Sequence, residues 1–345
     1  MNRLSKSNGL IYLVLLLFLA SVPLLAGDED RIGTAAGTQL QIPVGARDLA
    51  MSGSDIVFTT GVDALYWNPA GLSHMENKAA GLFSTITVFN DIQVNYLAVG
   101  TNLGAIGHLA FSVKALDFGD IPLTTLQDMD GASGKTFSPT FSTIGLTYAN
   151  KLTNAIQVGV TGKVLYESIP RVSGSAVAFD LGLQYQNLAG IEGVSFGIVA
   201  NNIGTNMQYA GTGLGDQTRS ADGKTEFLTK NAETNQLPAS LNMGVSYDYQ
   251  VMPKNNLIVS GTFQNSNLEN DAVKFGAEYG YDNMLFLRGG YRYTANTDTD
   301  ALLYTFTLGA GFQYKLGNTV LGIDYAFRDS QYFNANNMFD LKIAF

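Results

Sequence analysis

Apolar and polar residues alternate along most of the chain beyond residue 76. In segment 177–186 (VAFDLGLQYQ), Val177, Phe179, Leu181, Leu183 and Tyr185 share one face, opposite Ala178, Asp180, Gly182, Gln184 and Gln186. Segments 302–315 and 321–328 repeat the arrangement, the latter setting Leu321, Ile323, Tyr325 and Phe327 against Gly322, Asp324, Ala326 and Arg328. Period two is the signature of a strand. Strands of soluble domains average about five or six residues, whereas membrane strands need about 9–11. The runs here are commonly ten or longer. That length favours strands that turn their apolar face to lipid and their polar face to a lumen over a soluble sandwich.

About fourteen such segments are predicted, at 77–88, 91–102, 105–118, 138–149, 154–168, 174–187, 194–203, 237–249, 255–264, 271–280, 284–295, 301–315, 318–329 and 334–345. An even number is what bacterial single-chain barrels use. The connections divide into two classes. With residues 27–76 on the periplasmic side, the links that face outward include 119–137, 204–236, 296–300 and 328–335, and those that face inward are 103–104, 151–154, 187–193, 251–255, 281–283 and 317–318, so that the longest fall outside. Long extracellular loops and short periplasmic turns are required of an outer-membrane barrel. The expected fold is therefore all-β, a transmembrane antiparallel β-barrel over residues 77–345. Its last strand, FDLKIAF, alternates Phe339, Leu341, Ile343 and Phe345. This resembles the terminal signal read by the β-barrel assembly machinery of Gram-negative bacteria.

The N-terminus has a different character. Arg3 and Lys6 precede an apolar run at 10–20, a break at Pro23 and a small residue at Ala26. That order predicts a signal peptide over 1–26 and export to the cell outer membrane. Residues 27–76 lie between leader and barrel and contain DALYWNPAGLS (63–73), with the single tryptophan of the chain. Asn68 is the expected N-cap of a short helix with Pro69 in its first turn, where the missing N–H costs nothing. Tyr66 and Trp67 are expected to anchor a hatch against the inner wall or the periplasmic rim. Ala70 follows, and Gly71 would let the backbone turn towards the first strand.

Composition narrows the function classes. The net charge is −9, which disfavours nucleic acid as a partner. Cysteine is absent, removing disulfides, thiolate metal sites and cysteine nucleophiles together. The two histidines, His74 and His108, have no ligand-spaced neighbours, so neither metal nor cofactor is expected. Segment 128–136 (DMDGASGKT) ends like a phosphate loop and begins like a calcium loop, but lacks the first glycine of one and the closing glutamate of the other. It reads as a solvated loop tip, and GTGLG at 211–215 as loop flexibility. No catalytic constellation is found. The inward parity instead collects charges of both signs: Lys114, Lys163, Asp180, Glu278, Arg288, Arg292, Asp324 and Arg328. Glu167, Asp248, Lys274, Asp340 and Lys342 share that face. Cross-lumen pairing that stiffens the barrel and simple hydration of the charges both remain open.

The ordered series VGARDLAMSGSDI (44–56), GVDALYWNPAGLS (61–73), KALDFGDIPLTT (114–125), NNIGTNMQY (201–209), LRGGYRY (287–293) and LGAGFQYKLGNTVLGIDYAF (308–327) resembles the PorV/PorQ outer-membrane proteins, which are similar in turn to FadL-type transporters. The resemblance implies a FadL-like barrel of fourteen strands with a small N-terminal hatch on the periplasmic side. It further implies a type IX secretion component that binds the sorting domain of exported cargo and passes it to cell-surface attachment machinery. A FadL-like channel for hydrophobic small molecules, or a structural outer-membrane protein, are the alternatives.

Overall fold

The computed structural model describes residues 32–345 apart from positions 90, 220, 221, 223, 231 and 295–301. The leader at 1–26 therefore lies outside the described residues. Fourteen strands close into one antiparallel barrel. The first seven are β1 (Ala79–Val88), β2 (Ile92–Asn102), β3 (His108–Asp117), β4 (Thr140–Lys151), β5 (Ile156–Ile169), β6 (Val172–Tyr185) and β7 (Val194–Gly204). The second seven are β8 (Ser240–Met252), β9 (Asn255–Ser266), β10 (Ala272–Tyr281), β11 (Leu285–Thr294), β12 (Phe306–Leu316), β13 (Thr319–Arg328) and β14 (Asn336–Ala344). Each pairs with its neighbours in sequence, and β14 closes on β1 with Gly81 opposite Ile343 and Phe83 opposite Leu341.

Strand ends fall within three residues of the alternation, with one larger departure at the start of β12, which begins at Phe306 and not at 301. There Tyr304 leaves the sheet to lay its ring 3.7 Å from the Arg328 guanidinium. The wall is otherwise continuous among the described residues. Register shifts among the described residues occur at Gln250/Met252 and Phe179/Leu181. At the second, Asn202 adopts φ +58 and its N–H donates to Asp180 Oδ1 at 2.8 Å, a β-bulge on β7 held by a side chain.

Alternation determines what each face meets. Leu97, Phe111, Leu146, Phe179, Leu181 and Leu308 point outward and are exposed. So are Phe339, Leu341, Ile343 and Phe345 of the last strand and its end. A closed barrel wrapped in such a band is a membrane-spanning one, and turn lengths orient it in the outer membrane with its long loops outside.

The core sits in the lumen. The segment preceding β1 runs through it as a chain of short turns: Thr38–Gln41, α1 (Ala46–Ala50), Gly61–Asp63, α2 (Ala64–Trp67) and Pro69–His74. Val44, Leu65, Leu72 and Met75 pack on Leu82, Tyr96 and Ala98 of β1 and β2. Ala46, Leu49 and Ala50 pack on Ile86, Val94, Ala326 and Met338. The inward face thus carries apolar patches wherever this segment rests, which the charge parity alone did not reveal.

The segment is not confined to the periplasmic end, as the sequence had suggested. Met75 lies at the short-turn rim, its carbonyl 3.0 Å from His108 Nε2. Ala36 is at the opposite end, donating its N–H to Gln236 O at 3.0 Å, and Gln39 reaches Ser142 O at 3.3 Å. Buried Met207 and Leu237 of the outer excursion 205–239 cover Ala36 and Leu40 there. That excursion and the one at 118–139 carry small hairpins of their own, the largest pairing Gly215–Arg219 with Thr225–Thr229.

Candidate functional site: the filled lumen and its outer cavity

The Tyr66–Gly71 stretch is the tightest joint between segment and wall. Asn68 precedes the turn Pro69–His74 and caps it, its Oδ1 accepting Ala70 N–H at 3.2 Å, with Pro69 in the first turn. Its Nδ2 donates to Ile56 O at 2.7 Å and Leu183 O at 3.2 Å. Glycines on the wall make this approach possible: a Cβ at Gly182 would collide with Asn68 Oδ1, and one at Gly159 with the Pro69 backbone. Tyr66 meets the inner wall, packing on the cluster that contains Leu82 and Tyr96 with its ring 4.8 Å from Lys114 Nζ of β3, and it shares with Trp67 a second role. Their hydrogen bonds go to the segment's own backbone, Tyr66 to Leu40 O at 2.9 Å and Trp67 to Val44 O at 2.8 Å. These two bonds fold the segment on itself. Gly71 likewise permits close packing: a Cβ there would strike Thr59 O and Ala64, and its φ is not positive.

The inward charges form separate groups. On β10, β11 and β13, Glu278, Arg288 and Asp324 make a chain, with Arg288 2.5 Å from both carboxylates. Gly311 of β12 leaves the room for it, since a Cβ there would collide with Asp324 and Arg288. The inner segment joins this chain twice. Arg47 of α1 binds Glu278 at 3.0 and 3.1 Å, and Asp63 binds Lys342, which also binds Asp324 at 2.9 Å. Asp340 accepts the Ala46 N–H at 2.5 Å. Pairing therefore runs between wall and inner segment more than straight across an empty lumen. Lys163 and Asp180 pair at 2.5 Å next to the β7 bulge. Lys114 meets no carboxylate at ion-pair distance among the described residues. It donates to Ile42 O at 2.9 Å and lies 4.8 Å from the Tyr66 ring. Asp248 keeps the inward parity but lies near the short-turn rim and is exposed.

Inside the segment, Asp48 and Asp55 are fully buried side by side and share a side-chain hydrogen bond. Burial first, then the charges of Asp55 and Asp63, push the Asp48 carboxyl well above the usual carboxylate range. Burial holds His74 down at about 4, so its ring is neutral. The loop motif at 128–136 is an exposed turn in which Asp128 accepts the Ala132 and Ser133 N–H groups.

Above the segment, towards the long loops, lies a cavity of about 140 Å³. Its floor includes Leu49, Ile56, Tyr66 and Trp67, and its walls carry Lys163, Lys274, Arg292, Arg328, Asn201 and Gln264. Of these, Lys274, Asn201 and Gln264 are absent from the set the sequence singled out as a network, because nothing in a strand's alternation says which inward positions border empty space.

No family model matches the chain, and no curated protein matches it. Among solved structures, the Pseudomonas putida toluene transporter TodX superposes with a TM-score of 0.55 at 15% identity, covering 87% of this chain and 96% of that chain. The CymD monoaromatic hydrocarbon channel gives 0.54 at 16% identity, over 88% of this chain and 97% of that chain. A Pseudomonas aeruginosa FadL homologue gives 0.50 at 10% identity, over 88% and 98%. At such identities the likeness is one of fold. The chain has a FadL-like fold: a fourteen-stranded outer-membrane barrel whose lumen is filled by the segment before its first strand.

Proposed function

We propose that this chain is an outer-membrane channel for small solutes, with residues 36–75 as its hatch. The observation that carries this reading is the cavity at the outer end of the lumen, floored by a hatch whose seat against the wall is made of hydrogen bonds and ion pairs. The neighbours named as hydrocarbon channels support it. The wall is continuous among the described residues, so the path runs along the barrel axis and requires the hatch to shift. Its test is flux of small aromatic solutes into proteoliposomes. Wild-type protein is expected to exceed empty liposomes, and Asn68→Ala to exceed wild type. Equal uptake in all three would overturn it.

A second reading has its own observation. Leu126, Met129, Phe227 and Leu228 sit on the two outer excursions as exposed apolar side chains, 84%, 71%, 69% and 56% accessible. Apolar tips on long loops suit a protein partner. This is the PorV/PorQ-like role, holding the sorting domain of type IX cargo, with the outward face of β14 available to the assembly machinery. Retention of a purified sorting domain by the wild-type barrel, lost on replacing Phe227 and Leu228 by serine, would favour it over transport. No retention would remove it.

A further inference from the structure

The outer cavity has the size of a single ring and the lining of an anion site. A cavity of about 150 Å³ holds benzene when its walls are Leu, Ile and Phe. This one is about 140 Å³, but its cations outnumber its carboxylates. Lys163 is neutralised by Asp180, and Arg292 lies 3.5 Å from Glu269, which also accepts Gln41 Nε2 at 2.6 Å. That leaves two. Arg328 is 9% exposed and its polar partner is the neutral Asn336, at 2.7 and 3.1 Å. Lys274 is 8% exposed and has no hydrogen bond or ion pair among the described residues. Asn201 Oδ1 and Gln264 Oε1, in the same walls, are buried and accept no hydrogen bond.

An unpartnered buried cation is costly, and a bare hydrocarbon placed against it would strip its water and return nothing. A carboxylate would supply the missing charge and hydrogen bonds together. The carboxamides of Asn201 and Gln264 can turn their NH₂ groups towards the same oxygens. Tyr66, Trp67 and Tyr304 offer ring faces and edges to the rest of the ligand.

We propose that this cavity binds a small monocyclic carboxylate of the size class of benzoate, in preference to the uncharged hydrocarbon of the same shape. The proposal rests on the channel reading for its physiological meaning, and it names the substrate class of that channel.

Trp67 supplies the probe, being the single tryptophan of the chain and part of the cavity floor. Full-length protein in detergent, shown folded by its heat-modifiable gel mobility, is titrated with benzoate and with toluene while Trp67 fluorescence is followed. Benzoate is expected to give a saturable change at least tenfold tighter than toluene, weakened by salt. Lys274→Met and Arg328→Gln are each expected to weaken benzoate about tenfold and leave toluene unchanged, while Lys274→Arg retains benzoate. Toluene binding as tightly as benzoate, or wild-type benzoate affinity in both neutralising variants, overturns the proposal. Flux is measured separately in proteoliposomes. Benzoate binding without flux upholds the site and removes the channel, whereas flux with a preference for toluene does the reverse.

Discussion

Asn68 of the inner segment and Gly182 of β6 approach so closely that a methyl group at position 182 would occupy the place of the Asn68 carboxamide oxygen. The wall has a notch and the segment has the side chain that fills it. Gly182→Val is therefore expected to unseat the Asn68 turn while leaving the sheet paired, because valine suits a strand. Single-channel conductance in planar bilayers should rise, and the folded band on an unboiled gel should persist. Asn68→Ala should act in the same direction, removing the cap and two donated hydrogen bonds at a cost of about 2 kcal/mol. Conductance unchanged in both would mean that this joint does not hold the segment.

Arg288 lies between Glu278 and Asp324, nearly inaccessible to solvent. Replacing it by methionine leaves two buried carboxylates sharing Arg47 and Lys342. Removing one member of a buried ion pair typically costs about 3–5 kcal/mol, and the remaining cations should hold the loss near the lower figure. The urea midpoint for loss of the folded gel band should fall accordingly. A midpoint equal to that of wild type would show the chain of charges to be dispensable.

Asp48 gives the docked segment a pH dependence of definite sign. Its carboxyl is raised in the folded state, so docking takes up a proton relative to the free segment. The contribution is complete below the ordinary carboxylate pKa of about 4 and is lost as pH climbs through the raised value. Arg47, Asp55, Asp63 and Glu278 are the charged groups around the pair. Protease protection of residues 36–75 should decline from pH 4 upwards, and Asp48→Asn should flatten the decline. A steeper decline in the variant would reverse the assignment.

Leu146 stands near the middle of β4 on the lipid side. Leu146→Arg is expected to destabilise the barrel by about 2–4 kcal/mol in lipid, the usual cost of a cation at mid-bilayer. Equilibrium unfolding in vesicles measures it. A neutral result would place that part of the wall at the interface or outside the bilayer.

The barrel was legible in the sequence because its strands obey one rule over ten or more residues: the side facing lipid must be apolar. Val177, Phe179 and Leu181 reveal β6 without any knowledge of its neighbours. The inner segment follows no such rule. Its partners are scattered round the ring, so nothing in ARDLA (46–50) announces that Arg47 will meet Glu278, 231 positions away. Asn68 as a cap could be read from its proline, since capping is local. The reach of Ala36 to Gln236, and the placing of Trp67 against Val44, could not, because both depend on how the lumen is filled.

That filling has a mechanical consequence. A ring of paired strands resists stretching along its hydrogen bonds but flattens easily, since flattening only bends the sheet. The inner segment is tied to β14 through Ala46, to β10 through Arg47 and to β6 through Asn68. These ties work as spokes under a hoop. The cross-section of the barrel, and with it the spacing between the cations of the outer cavity, is set from the inside.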